Sequence, residues 1–227
     1  MKKIILSIII LLTICFKASS HVDHYSNYNY LEYELFRNNQ SIGYHKYEFN
    51  REKNNLLIKS EVQFKITKLG VDLYRYYAES EEIYENDRFI KFKSKTTQNK
   101  KAKYVNIQRN KQKNNLIIDG SSYKGEADKD AIVGTWWNHE IVKAKAQISA
   151  ISGRIIEQTV TFVGKEEVKL GNTTYQTLHF NFKSSDNTLP DNKKLNTDIW
   201  YDENTKLWIK AAFEKRGYWE YRLKTYK

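Results

Sequence analysis

The chain has 227 residues, with 38 lysines and arginines against 27 aspartates and glutamates, and a formal charge of +11 at neutral pH. It contains one cysteine and one proline, so a fold stapled by internal disulfides is excluded and a hydrophobic core must hold it together. The length suits one large β domain or two small ones, and lysine and asparagine recur in every segment, which makes the basic balance read first as a well-solvated surface.

Residues 1–20 read as a cleavable secretory signal. Lys2 and Lys3 form the positive start, Ile4–Phe16 is an apolar run broken by Ser7 and Thr13, and Ala18-Ser19-Ser20 supplies the small residues that a signal peptidase reads. The run is 13 residues long, whereas a spanning helix needs about 20, so no stable membrane span is expected after cleavage. Cys15 lies inside the run behind bulky Ile14, which argues against a lipid-modified cysteine. Cleavage after Ser20 takes three lysines and no acid, lowers the formal charge from +11 to +8 and leaves 21–227 without cysteine. The expected location is outside the cytoplasm, in the periplasm. Cleavage also makes His21 the first residue, with Asp23 and His24 beside it. Amine and imidazole suit copper, but the spacing brings no further histidine to them, and the segment reads as a polar tail.

Beyond the signal the dominant period is two. Leu56, Ile58, Val62, Phe64 and Ile66 alternate with Lys59, Glu61, Gln63 and Lys65, as in a long strand with one buried face. Leu31, Tyr33 and Leu35 against Glu32 and Glu34 repeat the pattern, and 42–49, 74–83, 89–96 and 104–109 are also strand-like. Asn38-Asn39, Asn54-Asn55, Asn86-Asp87, Asn114-Asn115 and Asp119-Gly120 separate these runs, and such residues tolerate the left-handed conformations of tight hairpins. The first hundred mature residues therefore read as an antiparallel meander. Trp137, Ile141, Ala144 and Ile148 fall near helical spacing and predict one short helical segment near 137–150, ended by Gly153. Strands are predicted again at 155–163, 167–170, 175–182, 197–201, 207–215 and 218–223, with turns at Gly164-Lys165, Gly171-Asn172 and Asp202-Glu203-Asn204 and a loop over 183–196. The fold expected is all-β: a large curled antiparallel sheet or partly closed β-barrel, with 21–227 as a single domain.

Trp136-Trp137-Asn138-His139-Glu140 is the densest polar and aromatic cluster. His139-Glu140 begins the H-E-x-x-H pattern of zinc proteases, but the position of the second histidine is Lys143, which rejects that reading. Lys100-Lys101-Ala102-Lys103-Tyr104 is the strongest basic cluster. In an exported protein nucleic acid is not the expected partner, and anionic lipid headgroups are the more plausible one. There is no G-x-S-x-G elbow, no glycine-rich phosphate loop and no cysteine in 21–227. Glu79, Glu81, Glu82 and Glu85 are plentiful acids that one sequence does not pair in space. No catalytic residue, metal or cofactor is assigned.

Tyr33-Glu34-Leu35-Phe36-Arg37 with Ile42-Gly43, Trp136-Trp137-Asn138, Gly164 with Glu166 and Val168, Trp200-Tyr201-Asp202, and Gly217 with Tyr221-Arg222-Leu223 together resemble an exported bacterial family of unknown function. The resemblance covers nearly all of the mature chain. In related members a proline follows the aromatic–Trp–Asn cluster, and here His139 takes its place. The resemblance implies one envelope β domain with no assigned reaction, and the pattern is loosely similar to the curled sheets of periplasmic lipoprotein carriers.

These readings converge on a non-catalytic envelope module that binds an apolar or amphiphilic ligand, a lipid or another envelope-associated molecule. Trp136, Trp137, Trp200 and Tyr201 would form an aromatic wall, and Asn138 and Asp202 the polar anchors. Two alternatives remain. One is a hydrolase of an envelope polymer, using carboxylates with His139 or His179; the other is an assembly partner acting through a sheet edge.

Overall fold

The computed structural model describes residues 25–227. The export signal, Cys15 and the segment His21 to His24 lie outside the described residues. The chain runs through β1 (Tyr30–Arg37), β2 (Gln40–Glu52), β3 (Asn55–Lys68), β4 (Val71–Glu85), β5 (Arg88–Gln98), β6 (Lys101–Asn110), β7 (Asn115–Gly120) and β8 (Lys124–Ala127). It continues through β9 (Ile132–Val133), β10 (Ala146–Ile148), β11 (Ile155–Leu170), β12 (Thr173–Ser184), β13 (Asn196–Asp202), β14 (Trp208–Glu214) and β15 (Tyr218–Tyr226). All fifteen share one sheet, in the order β8-β7-β6-β5-β4-β3-β2-β1-β15-β14-β13-β12-β11-β10-β9. Neighbours are antiparallel except β9 and β10, which run parallel.

The first and last strands thus lie side by side in the middle of the sheet, and its two edges, β8 and β9, are consecutive in the chain. Joining them takes only residues 128–131, so the sheet must curl until its edges approach. Ser122 N–H donates to the Ser152 carbonyl (2.9 Å) and Ser94 Oγ to the Ala150 carbonyl (2.5 Å), which tie the curl without closing a barrel. No helix among the described residues is long and apolar enough to cross a membrane.

Several hairpin turns fall where the sequence placed them, but Asp119-Gly120 lies inside β7, and the turns at 69–70 and 99–100 were not marked by that pattern. Asn38 and Asn39, and Asn86 and Asp87, all have positive φ, the requirement of two-residue turns that match the strand twist. One turn has the same geometry with a different residue type: Leu69 (φ 51°) and Gly70 (φ 76°) join β3 to β4. Gly164-Lys165, expected as a turn, lies inside the continuous strand β11, just after a bulge at Val163.

The helical segment expected near 137–150 is a single 3-10 turn, His139–Lys143, capped by Asn138, and 146–148 is strand. The turn stops because Gln158 Nε2 donates to the carbonyls of Ile141 (3.2 Å) and Ala144 (3.0 Å), satisfying the last carbonyls from a distant strand. Spacing along the chain does not reveal that partner.

The core is aromatic. Tyr25, Tyr33, Tyr47, Trp137, Tyr201 and Trp208 are fully buried beside Leu31, Leu35 and Ile58. A smaller cluster of Phe92, Val105, Ile107, Leu116, Ile118, Val133 and Ile148 fills the space under the two edges. Gly43 allows β2 to press on β3: a Cβ there would sit 2.0 Å from the Gln63 carbonyl oxygen and 2.6 Å from Phe64 Cα. Gly43→Ala is expected to lower unfolding free energy in urea titration by about 1–3 kcal/mol, the usual cost of overpacking. Gly164→Ala, where nothing lies within 4 Å, is expected to change it by less than about 0.5 kcal/mol.

Candidate functional site

The six residues singled out in the sequence divide between the two faces of the sheet. Trp136, Trp137, Asn138 and Tyr201 face the interior. Consecutive Trp136 and Trp137 both reach the core because Trp136 takes a left-handed conformation (φ 62°). Trp136 packs edge-on against Trp208 and Tyr221, with ring centroids 5.5 Å apart in both pairs. Tyr201 Oη donates to the Trp136 carbonyl (2.9 Å), and Asn138 Oδ1 accepts from Glu140 N–H (3.0 Å). Beneath them lies Glu82, which accepts from Trp137 Nε1 (2.9 Å), Tyr84 Oη (2.6 Å) and Thr135 Oγ1 (3.5 Å). Burial pushes the Glu82 carboxyl up to about 7, against the pull of those three donors.

Trp200 and Asp202 belong to the outer face. The Asp202 carboxylate is occupied in the β13–β14 turn, accepting from the N–H groups of Asn204 (3.0 Å) and Thr205 (2.8 Å). Trp200 lies between its cross-strand neighbours: His179 stacks on it at 4.2 Å, and Lys210 Nζ sits 4.9 Å from its ring centroid. Both neighbours cover the indole, which is 8% exposed. Its Nε1 donates to Glu166 (2.8 Å), a bond that, with His179, holds the Glu166 carboxyl below the usual range.

A cleft of about 700 Å³ opens beside this group, and the bulge at Val163 explains it. Before the bulge, Gln158, Val160 and Phe162 share one face of β11. One extra residue then reverses the alternation, so Glu166, Val168 and Leu170 lie on the same face as His179 and Trp200. The β11–β12 hairpin curls with it, bringing β11 close to β15 across three intervening strands. Val168, Leu170 and Tyr175 line one side of the cleft, and Glu34 and Phe36 of β1 line the other. Trp200, Lys210, Glu220 and Arg222 form the floor. Burial opposes ionisation of Glu220, but Lys210 (2.8 Å) and Arg222 hold it below the usual carboxylate range. Arg222 also lies 4.0 Å above the Phe36 ring.

Sequence reading assigned no role to Lys210, Glu220, Leu170 or Tyr175. The available signal was the break in apolar parity at Val163, which reads instead as a turn when Gly164 follows. The described histidines occupy three separate settings. His45 is buried beside Tyr47, and burial pushes its imidazole down to about 3. His139 lies edge-on to Tyr201, and His179 meets Glu166 at Nδ1 (2.8 Å) and Asp198 at Nε2 (3.0 Å).

Glu82 makes stability depend on pH with a definite sign. Its folded-state value lies above its unfolded one, so the folded protein holds the proton more tightly, and the Glu82 contribution to stability falls as pH rises from about 4.5 to 7. Buried His45 opposes this decline below about pH 6.5, because its lowered value makes its own contribution rise with pH. Glu82→Gln, which keeps an acceptor for Trp137, is expected to remove that decline and to stabilise the protein above pH 8 by about 3 kcal/mol relative to the parent. Urea unfolding of both proteins from pH 4 to 9 measures it.

Comparison with solved structures finds the same architecture in a β-barrel-like protein of the DUF1849 domain of unknown function from Brucella abortus. The alignment covers 87% of this chain and 96% of the other at 12% identity, with a TM-score of 0.61. No curated protein matches in sequence. Residues 33–224 match the family described as domain of unknown function DUF6134. That span runs from Tyr33 in β1 to Lys224 in β15 and takes in both the aromatic interior and the outer cleft; the chain belongs to the DUF6134 family.

Proposed function

We propose that this protein is an exported, non-catalytic binding module that holds an amphiphilic ligand in the outer cleft. The observation that carries the reading is the mixed lining of that cleft, which sets apolar Val168, Leu170 and Tyr175 of the hairpin, interspersed with Glu167 and Lys169, beside the charged Lys210, Glu220 and Arg222. A volume of about 700 Å³ falls within the range of small-molecule sites, roughly 300–1,000 Å³. Acyl carbons would lie along the hairpin and a polar headgroup over the floor. Export, to the periplasm, rests on the pattern of residues 1–20.

Within this reading the sequence-assigned residues take different parts. Trp200 orients Glu166 at the cleft, Asp202 shapes the neighbouring turn, and Trp136, Trp137, Asn138 and Tyr201 form the packed layer behind the floor. The interior aromatics contact one another, as in the Tyr33–Trp208 stack at 4.0 Å, so the outer cleft suits a ligand better than the core does. A hydrolase is less well supported. Acids and a histidine do meet, at Glu166, His179 and Asp198, but both ring nitrogens of His179 are engaged and neither is left to serve a substrate as base. Action through a sheet edge has little backbone to use, since β8 has four residues and β9 two.

Leu170→Glu and Val168→Glu place a charge on the apolar side at partly exposed positions. Titration with a dansyl-labelled fatty acid is expected to show binding by the parent and at least a roughly tenfold loss in either variant at a temperature where thermal melting shows that variant folded. Equal binding by parent and variants, or none by the parent, would overturn the reading.

A further inference from the structure

The antiparallel order gathers seven connections at one end of the sheet: 38–39, 69–70, 99–100, 121–123, 149–154, 185–195 and 215–217. Contacts link them. Asn38 Oδ1 accepts from Tyr218 N–H (2.8 Å), Asn99 Oδ1 from Arg75 N–H (2.8 Å), the Ser152 carbonyl from Ser122 N–H (2.9 Å), and the Lys193 carbonyl from Arg154 (3.0 Å). Lys65, Lys68, Lys100, Lys101, Lys215 and Arg216 are all exposed at this end. Like charges crowd there: burial and the nearby Arg154, Arg216 and Lys103 push the Lys215 ammonium down.

The β3–β4 hairpin carries an apolar tip into this basic rim. Leu69 is 95% exposed, Val71 61% and Leu73 56%. Leu69 also sits in the left-handed region, where a side chain of its kind costs about 1–2 kcal/mol. Asn38, Lys53, Asn86 and Asn99 occupy positive-φ positions in the other two-residue turns of this half of the sheet. Neither turn geometry nor core packing explains a leucine here. The acid of the tip, Asp72, is held by Thr67 (2.7 Å) and Arg75 (2.9 Å).

We propose that the Leu69-Gly70 tip inserts into the headgroup region of an anionic lipid bilayer, with the surrounding lysines and arginines on lipid phosphates. Three apolar side chains, one on the turn and two at the start of β4, make too small a patch for a stable protein interface, which buries about 1,200–2,000 Å². They suit shallow entry, about 5–10 Å, into the boundary between headgroups and acyl chains. Each nearby cation adds to attraction by an anionic surface. A second copy of the chain would bring a like-charged rim against this one, since the chain is net basic. The tip lies at the opposite end of the sheet from the β11–β12 turn that bounds the ligand cleft, so this inference does not rest on the function proposed above.

The test is co-sedimentation of the exported protein, its N-terminus verified by sequencing, with vesicles of phosphatidylcholine alone or mixed with phosphatidylglycerol. Sedimentation only with the mixed vesicles, weakening as salt rises, is the expected result. Leu69→Asn suits the turn and keeps the fold; combined with Val71→Thr and Leu73→Thr it is expected to lower partitioning at least roughly tenfold. Should the triple variant melt early, Leu69→Asn alone and Lys100→Glu with Lys101→Glu are each expected to weaken binding severalfold. Undiminished binding by these variants, or binding that needs no anionic lipid, would overturn the proposal. So would analytical ultracentrifugation showing a dimer of the parent that Leu69→Asn dissolves, which would make the tip a contact between copies.

Discussion

Pairing of the first strand with the last is the interaction on which the sheet depends. β1 hydrogen-bonds to β2 on one side and β15 on the other, so two arms of strands extend from a shared centre. Because the arms end on strands adjacent in the chain, the connection over 128–131 draws their edges together. Tyr33 of β1 reinforces the centre by stacking on Trp208 of β14 and donating to its carbonyl at 2.8 Å. Tyr25, ahead of the first strand, accepts from Trp208 N–H at 2.9 Å, which anchors the start of the described chain on the same core.

A core built from tyrosine and tryptophan carries a polar obligation, since each buried hydroxyl needs a partner. The chain meets it for several of these groups with the connection between β9 and β10, while Trp136 Nε1 and Trp208 Nε1 are buried without a hydrogen-bond partner among the described residues. Tyr47 donates to the Thr135 carbonyl (2.5 Å) and Tyr201 to the Trp136 carbonyl (2.9 Å), while Glu82 receives Trp137 and Tyr84. The connection is thereby fixed against both arms at once. This accounts for the aromatic–Trp–Asn cluster as architecture: Trp137 fills the centre, Trp136 turns the backbone, and Asn138 caps the 3-10 turn.

The two arms use their outer faces differently. Across β2 to β5 the outward residues form a ladder of charges of both signs, Lys46, Glu61, Glu79 and Lys95, typical of a solvated sheet. On the other arm the bulge at Val163 moves apolar side chains of β11 to the other face of the strand. There Val168 and Leu170 line the cleft with residues of β1 and β15 while still packing at the border of the core. One inserted residue thus converts a convex surface into a recess, because alternation along a strand has a period of two.

Much of the fold was legible in the sequence. Strands with clean alternation, such as 56–67, announce a buried face, and asparagine pairs mark hairpins, because both signals are local. The all-β class and the curled antiparallel sheet follow from them and from the length. The site was less legible. Trp200 and Tyr201 are adjacent in sequence, and neighbours on a strand point to opposite faces, so an aromatic wall containing both is divided by the sheet between them. Glu82 was one of several acids until burial and three donors distinguished it. Lys210, Glu220 and Arg222 meet the hairpin residues Val168 and Leu170 only through the curl of β11 toward β15. Local pattern determined the strand class, the buried face of the cleanly alternating strands and the asparagine-marked turns. Only the tertiary structure decided which side chains share a face, because that depends on one bulge and on pairings between residues far apart in the chain.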